Sequence, residues 1–282
     1  MKHSNQMIVR SLVIVCLSGL YFHTTAQMRS GSISEVDASD PATMKSRVTS
    51  DFESYFFVGD ARYYAIRLGY EYGLVNQRHL FGMSLPFVHN IFVADFGGYE
   101  NTSGIGDLKM RYMFVPIQKN SGGGLQRLSA YMEVTAPTGE ELLGRGAGVW
   151  VYKPGLIFTY RSGPSVSFYP EIKYVFSGGD ANALGGGDGA PDQEDPDKDG
   201  PIQNLSLSIP AVVLVNNWDG WFSLNAQYVQ SFSENTYYIF LRTDFGRMIG
   251  NKTSASLNIT KFIAGQPLLN VLVQAKFQFF IR

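Results

Sequence analysis

Hydrophobic and polar residues alternate along most of this chain with a period of two. Met132 and Val134 alternate with Tyr131 and Glu133, and residues 269–281 repeat the pattern over a longer run. Successive side chains of a β-strand point to opposite faces of the sheet. Each run therefore predicts a strand with one apolar face and one polar face.

Twelve runs of this kind can be traced, and most of them contain nine to fourteen residues. A strand that crosses a bilayer at a tilt needs about 9–11 residues. We therefore predict an all-β protein, an antiparallel transmembrane β-barrel of about 12 strands, with ten or fourteen strands as the alternatives. The predicted strands are residues 50–58, 62–74, 80–93, 107–118, 125–137, 149–162, 165–178, 203–217, 221–233, 237–249, 253–263 and 268–281.

The connections between the runs alternate in length. The short ones are residues 75–79, 119–124, 163–164, 218–220 and 250–252. The longer ones are residues 94–106, 138–148 and 179–202. Outer-membrane barrels combine short periplasmic turns with long external loops. The alternation therefore predicts that both chain ends are periplasmic and that the long connections lie outside the cell.

The N-terminus predicts export. Residues 1–26 have the pattern of a signal peptide, with basic Lys2 and Arg10 before a short apolar stretch and the small residue Ala26 at its end. The apolar stretch is too short to cross a bilayer as a helix. We therefore expect the chain in the outer membrane of a Gram-negative cell, with membrane lipids as partners.

Residues 27–49 are polar and aperiodic, and we interpret them as a flexible periplasmic lead-in, with a plug inside the lumen as the alternative. The barrel is expected to cover residues 50–282. Its first strand is the least clear, because Asp51 and Glu53 interrupt the alternation.

Composition argues against several classes of function. Removing Lys2 and Arg10 from the 23 basic residues leaves 21 against 24 acidic residues, and no basic patch indicates nucleic acid as a partner. Cys16 lies in the signal peptide, so the rest of the chain cannot form a disulfide. No phosphate-binding loop or nucleophile elbow occurs, and we expect no cofactor apart from the calcium considered below.

Many charged residues of the runs share the polar parity, which faces the lumen of a barrel. Such charges can bind each other across neighbouring strands, and they can also guide a polar group of a passing solute. The candidates for lumen and ligand contacts are Arg67, Glu71, Arg111, Arg127, Glu133, Lys153, Glu171, Lys173, Arg242, Asp244 and Lys276.

Four of these candidates, Arg111, Glu133, Lys153 and Glu171, fall at similar depths on four successive predicted strands, and their signs alternate. We expect them to form a row of paired charges along the inner wall. The predicted barrel is smaller than the open porins of about 16–18 strands. The row therefore predicts a largely occluded lumen.

The connection at residues 179–202 contains a calcium-like pattern. Asp195, Asp197 and Asp199 are followed by Gly200, and carboxylates at alternate positions before a glycine resemble the start of a calcium-binding loop. Ser206 stands where such a loop has its closing glutamate. A solvated acidic loop without metal is the alternative.

Two histidines follow the signal peptide. His79 falls in a short turn, and His89 has the parity of the lipid-facing residues near the external rim. A barrel phospholipase needs a serine beside such a histidine. The predicted neighbouring strands offer no serine there, only Tyr64, Ile66, Met110 and Tyr112. The sequence therefore predicts that the protein is not an enzyme.

Glycine-led motifs resemble a known family. They are SGIGDLKMRY at residues 103–112, APTGE at 136–140, GRGAG at 144–148 and PGL at 154–156. This pattern, over roughly residues 100–165, is similar to that of the outer-membrane barrels labelled as meta-pathway phenol-degradation transporters. The resemblance implies no specific ligand residues. Within the motifs we expect structural roles, such as backbone hydrogen bonds to Asp107.

The resemblance implies passive uptake or binding of small hydrophobic or aromatic molecules. A surface or structural barrel of the adhesin type is the alternative, and an outer-membrane lipid-modifying enzyme is a weaker one. A continuous lumen would favour transport, whereas a filled lumen with ordered loops would favour a surface role. A contact between serine and histidine on the outer wall would favour the enzyme.

Overall fold

The computed structural model describes residues 33–57, 62–74, 77–91, 101–119, 123–181, 200–265 and 269–281. Within these residues the strands are β1 (Arg47–Phe57), β2 (Arg62–Gly73), β3 (His79–Ile91), β4 (Thr102–Ile105), β5 (Leu108–Gln118), β6 (Gly124–Ala136), β7 (Val151–Arg161), β8 (Val166–Phe168), β9 (Glu171–Ala181), β10 (Gly200–Val215), β11 (Gly220–Ser231), β12 (Thr236–Met248), β13 (Thr253–Gly265) and β14 (Leu269–Phe280). The helix α1 (Glu35–Ser39) precedes them, and 3-10 turns occupy Glu141–Leu143 and Asn216–Trp218. No helix in this described part is long and apolar enough to span a membrane.

The described strands pair antiparallel into one closed barrel. β4 and β5 act as one barrel strand that is interrupted at Gly106 and Asp107, and both pair with β3. β8 and β9 act as another, interrupted at Tyr169 and Pro170, and lie between β7 and β10. Pairing of β10 with β11 closes the circle. The predicted 12-stranded antiparallel barrel is therefore confirmed.

The alternation separates a lipid-facing wall from the lumen. Leu68 and Ile209, which point outward, are each 60% exposed. Ser129 and Asn258, which point inward, are buried. Large exposed apolar side chains of this kind occur on every barrel strand. Such an outer surface is suited to hydrocarbon and not to water.

Residues 33–46 form a packed segment inside the barrel. Ser34 and Asp37 form the capping box that begins α1, and α1 contacts β10, β11 and β12. Ala42 and Met44, which follow α1, are buried. For these residues the structure corresponds to the lumenal plug and differs from the flexible lead-in that we preferred. The sequence did not reveal this because the apolar partners of the segment lie on distant strands.

The lumen is filled at the end of the barrel that carries the short turns, called here the short-turn end. The N-terminal segment packs there against inward-facing apolar side chains near the strand ends. Trp221 is among the largest of them, and Gly246 opposite leaves room for its ring, since a Cβ there would lie 2.0 Å from Trp221 Cζ2. This plug core consists of Ala38, Ala42, Met44, Leu80, Met113, Val115, Tyr131, Ile157, Tyr169, Val212, Trp221, Met248 and Phe280.

Candidate functional site

The predicted lumen residues all occupy inward-facing positions, but they belong to different surroundings. One group lies on β1, β2 and β14, and we call it the balanced cluster. A second group lies on β5, β6, β7 and β9, and we call it the cavity cluster. The balanced cluster is Arg47, Asp51, Glu53, Arg67, Glu71 and Lys276. The cavity cluster is Arg111, Glu133, Lys153, Glu171 and Lys173.

The balanced cluster joins neighbouring strands through ion pairs. Arg47 Nη2 lies 2.5 Å from Glu71 Oε2. Arg67 donates through Nε and Nη2 to the two carboxylate oxygens of Glu53, at 3.3 and 3.2 Å. Gln274 Nε2 on β14 also donates to Glu53 Oε1, at 3.4 Å. These bonds connect three adjacent strands, and they stabilise the inner wall.

Half of the residues in the balanced cluster were not among the lumen residues predicted from the sequence. Arg47, Asp51 and Glu53 lie on β1, which begins at Arg47 and not at residue 50 as predicted. Asp51, which interrupts the alternation in the sequence, faces inward directly opposite Lys276. The polar residues of β1 therefore do follow the alternation. The inward-facing Lys276 on β14, which is opposite Asp51, is the signal that could have revealed this.

The cavity cluster surrounds a cavity of about 170 Å³ in the lumen. Arg111 lies opposite Glu133 in the register of β5 and β6, and Glu133 lies opposite Lys153 in that of β6 and β7. Lys153 Nζ is 3.4 Å from Glu133 Oε1. Glu171 on β9 faces the same cavity. The structure thus brings the four-residue row of alternating charges together at one place.

Tyr131 contacts charged residues of this cavity on two different strands. Its hydroxyl donates to Glu171, and the guanidinium carbon of Arg111 lies 4.8 Å from its ring centroid. The ring passes over Gly155, where a Cβ would come within 2.4 Å of Tyr131 Cζ. Glycine at that position leaves room for the ring, which any larger residue would have to displace. Tyr131 was not among the residues predicted from the sequence, because the alternation of polar and apolar residues assigns it no chemical role.

The N-terminal segment forms part of the same cavity. Pro41 lines it together with Tyr131 and Ile157. The preceding residue, Asp40, forms an ion pair with Arg127 on β6, and its Oδ1 accepts a hydrogen bond from the backbone N–H of Ala42 at 2.8 Å. The Asp40–Arg127 pair therefore attaches the segment to the wall and sets one boundary of the cavity.

The remaining candidates lie elsewhere. Asp244 on β12 accepts a hydrogen bond from Trp221 Nε1 at 2.8 Å, and Arg242 is an exposed side chain on the same strand. Asp195, Asp197 and Asp199 of the calcium-like loop lie outside the described residues. Among the residues that are described, no group of three acidic, histidine or cysteine side chains is arranged to hold a metal.

The glycine-led motifs close a break in the barrel wall. Asp107 accepts hydrogen bonds from the backbone N–H groups of Gly139 and Ala147, both at 2.8 Å. The Thr138 hydroxyl donates to the Gly106 carbonyl at 3.0 Å and accepts from the Leu108 N–H at 2.8 Å. The expected backbone bonds to Asp107 are confirmed.

Proline explains why Thr138 is needed. Gly106 donates to the carbonyl of Pro86 on β3 at 2.9 Å, but Pro86 has no N–H to return the bond. The hydroxyl of Thr138 supplies that donor to Gly106. Nearby, Asn90 Nδ2 donates to the Gly144 carbonyl at 2.8 Å and holds the loop against the inner side of β3.

Comparison with known proteins identifies the family. Residues 38–196 match the family described as "Putative MetA-pathway of phenol degradation". The chain belongs to this family. In this member of the phenol-degradation family, the matched residues include the cavity cluster and the glycine-led motifs. No curated protein sequence is a significant match.

Solved outer-membrane barrels share the fold of this family member. An outer-membrane channel from Pseudomonas putida F1 has 13% identity and a TM-score of 0.65, with 90% of this chain and 100% of that chain covered. The NanC porin has 10% identity and a TM-score of 0.54, with 84% and 100% covered. The KdgM porin has 8% identity and a TM-score of 0.53, with 83% and 100% covered. The protein therefore has the fold of an outer-membrane β-barrel.

The outer wall of the family member carries a contact that contradicts one expectation. His89 Nδ1 lies 2.7 Å from Ser103 Oγ, and the rings of His89 and Tyr64 are stacked with centroids 6.5 Å apart. The prediction that no serine neighbours His89 was wrong. Ser103 lies on β4, which extends the β5 strand beyond the bend at Gly106 and was read as loop. β4 was not predicted because Gly104 and Gly106 have no side chains that could show the alternation.

Proposed function

We propose that this barrel is an outer-membrane channel for the passive uptake of small hydrophobic or aromatic molecules. The observation that carries the proposal is the lumenal cavity of about 170 Å³, which is lined by both apolar and charged side chains. Pockets for drug-sized ligands measure about 300–1,000 Å³, so this cavity suits a solute of about one ring. The family description names phenol degradation, and the Pseudomonas putida barrel of the same fold is described as a channel.

The filled end of the lumen supports a selective channel over a general porin. A solute would enter from the end with the long loops and reach the cavity beside Pro41. Beyond this point residues 33–46 and the plug core fill the lumen. Onward passage therefore requires the N-terminal segment to move. In this proposal the short-turn end faces the periplasm, as the loop lengths predict.

Solute entry into liposomes tests the proposal. Liposomes that contain the folded barrel should take up phenol and toluene faster than protein-free liposomes, and steady ionic conductance should be small. The same lipid with unfolded barrel is the control for nonspecific leakage. Equal uptake with and without the folded barrel would contradict the proposal, and a large constant conductance would indicate a general porin.

A surface protein of the adhesin type is the first alternative, because a filled lumen and ordered loops are the features expected of such a barrel. The loop at residues 137–150 is indeed bonded to β3 and β4, through Asn90 and through Arg145 Nη1, which donates to the Ser103 carbonyl at 2.7 Å. The channel is favoured because the material that fills the lumen is the N-terminal segment, which the Asp40–Arg127 ion pair attaches to the wall. Pro41 of this segment borders a cavity. Absence of any solute uptake would favour the surface role.

The Ser103–His89 contact supports a second alternative, an enzyme that hydrolyses lipid esters at the outer wall. In a serine hydrolase the histidine accepts the serine proton and is itself oriented by a third group. Within the described residues, His89 has no further hydrogen-bond partner to orient its ring. We therefore rank the enzyme below the channel. Release of fatty acid from vesicle phospholipid that is lost in Ser103→Ala, with uptake of phenol unchanged, would establish it.

A further inference from the structure

The cavity in the lumen has more positive than negative charge. Arg111, Lys153 and Lys173 line it, against only Glu133 and Glu171. From this excess we propose that the cavity binds small aromatic anions, a carboxylate or phenolate attached to a single ring. The inference rests on the proposed channel function and names the class of solute that this site prefers.

The two carboxylates of the cavity are already occupied. Glu133 lies 3.4 Å from Lys153 Nζ. Glu171 accepts hydrogen bonds from the Tyr131 hydroxyl and, at 3.4 Å, from the Ser208 hydroxyl. Neither carboxylate therefore depends on a solute for its partners.

Within the part of the chain that the structure describes, Arg111 and Lys173 are the cavity cations without an ion pair to a carboxylate. Among the described residues Lys173 has no hydrogen bond or ion pair, and the Nε of Arg111 is buried without a hydrogen-bond partner. Glu71 is the carboxylate next to Arg111 on the side of β2, but Arg47 binds it at 2.5 Å. Two cations in a partly desolvated cavity attract an anion more strongly than they would in water.

The cavity also has an apolar part. Pro41, Ile157 and the ring of Tyr131 line it, and Arg111 lies over the face of that ring. A planar ring can pack against these side chains while its anionic group reaches the two cations. Such a bond between a cation and a carboxylate is about twice as strong as a neutral hydrogen bond. A neutral aromatic ring would gain the apolar contacts alone.

Three probes with the same ring separate charge from ring packing: benzoate, benzyl alcohol and benzylamine. Calorimetric titration of the full-length barrel in detergent micelles should show benzoate binding about tenfold tighter than benzyl alcohol, with benzylamine weakest. Lys173→Gln should reduce benzoate affinity by about tenfold and leave benzyl alcohol unchanged. Arg111→Gln should have a similar effect.

Arg242→Gln is the matched control, because it removes a lumenal cation that is not part of the cavity. It should leave benzoate affinity unchanged. Heat-dependent migration in gels checks that each variant is folded, and Lys173→Gln carries the test if Arg111→Gln fails to fold. Benzoate affinity no greater than that of benzyl alcohol, or an equal loss in Arg242→Gln, would overturn the proposal.

Entry of phenol and toluene into liposomes separates this inference from the proposed function. If neutral aromatic molecules enter through the barrel but benzoate does not bind preferentially, the preference for anions is wrong and the channel stands. If benzoate does not bind and no solute enters, both proposals fail.

Discussion

Two groups of charges face the same lumen, yet they are built differently. The balanced cluster contains three basic and three acidic residues, and its two ion pairs connect adjacent strands. The cavity cluster contains three basic and two acidic residues around an open volume of about 170 Å³. It contains one ion pair, between Lys153 and Glu133, while the ring of Tyr131 lies between Arg111 and Glu171.

The difference distinguishes charges that stabilise the wall from charges that the proposed solute could bind. Where opposite charges balance and contact each other, they stabilise strand pairing and leave nothing for a solute. Where one cation is in excess beside a cavity, the wall keeps a charge that a solute can neutralise. The alternation of the sequence cannot distinguish these two uses, because it places both groups on the same face.

The largest effect is expected from breaking the balanced cluster. Glu71→Ala removes the carboxylate that binds Arg47, whose side chain is 5% exposed. Loss of one partner of a buried pair costs about 3–5 kcal/mol. Urea titration of the barrel in lipid vesicles, followed by tryptophan fluorescence, should show this decrease in the free energy of unfolding. Lys173→Ala should cost less than about 1 kcal/mol, and equal costs would remove the distinction between the clusters.

A smaller effect is expected from displacing Tyr131. In Gly155→Ala the new Cβ would lie 2.4 Å from Tyr131 Cζ, so the ring must leave its position over β7. Overpacking of this kind costs about 1–3 kcal/mol. The same urea titration measures the cost, and loss of benzoate binding would report the altered cavity.

Gly178→Ala on β9 is the matched control for that substitution. A Cβ at Gly178 would be 3.6 Å from Tyr152 Cε2, which is an ordinary contact. We expect little change in stability. If both glycine substitutions cost the same, close approach of Tyr131 is not the reason for glycine at residue 155.

Weakening the attachment of the N-terminal segment should destabilise its position in the lumen by about 1 kcal/mol. Asp40→Asn removes the charge that binds Arg127 but keeps a side-chain oxygen to which Arg127 can still donate, so less is lost than when a whole carboxylate side chain is removed. The segment should leave the lumen about fivefold more often. Single-channel recording should then show more frequent openings than in the unmodified protein. Glu35→Gln, on α1, is the control, and more frequent openings in that variant would show that the effect is not specific to the ion pair.

The smallest effect is expected at Arg242. This lumenal side chain is exposed and belongs to neither cluster. Arg242→Gln should change the free energy of unfolding by less than about 0.5 kcal/mol. The urea titration checks it, and a cost like that of Glu71→Ala would show that Arg242 is part of the stabilising network.

Much of the fold could be predicted because a membrane barrel repeats one simple rule. The alternation that put Met132 outward also put Glu133 inward, and comparison of depths on adjacent strands brought Glu133 beside Arg111 and Lys153. These are local properties, since side-chain direction follows from strand period and depth follows from distance to a turn. β4 was missed because Gly104 and Gly106 carry no side chain to show the period, and Ser103 was missed with it.

Strand period and run length predicted the barrel, its strand number within a narrow range, and which side chains face lipid and which face the lumen. Only the folded barrel shows that residues 33–46 pack inside the lumen and that Asp40 contacts Arg127 there. The folded barrel also shows which inner charges pair with each other and which line a cavity. Period and length are properties of one strand, whereas the pairing of charges and the filling of the lumen depend on residues that come together only when the sheet closes.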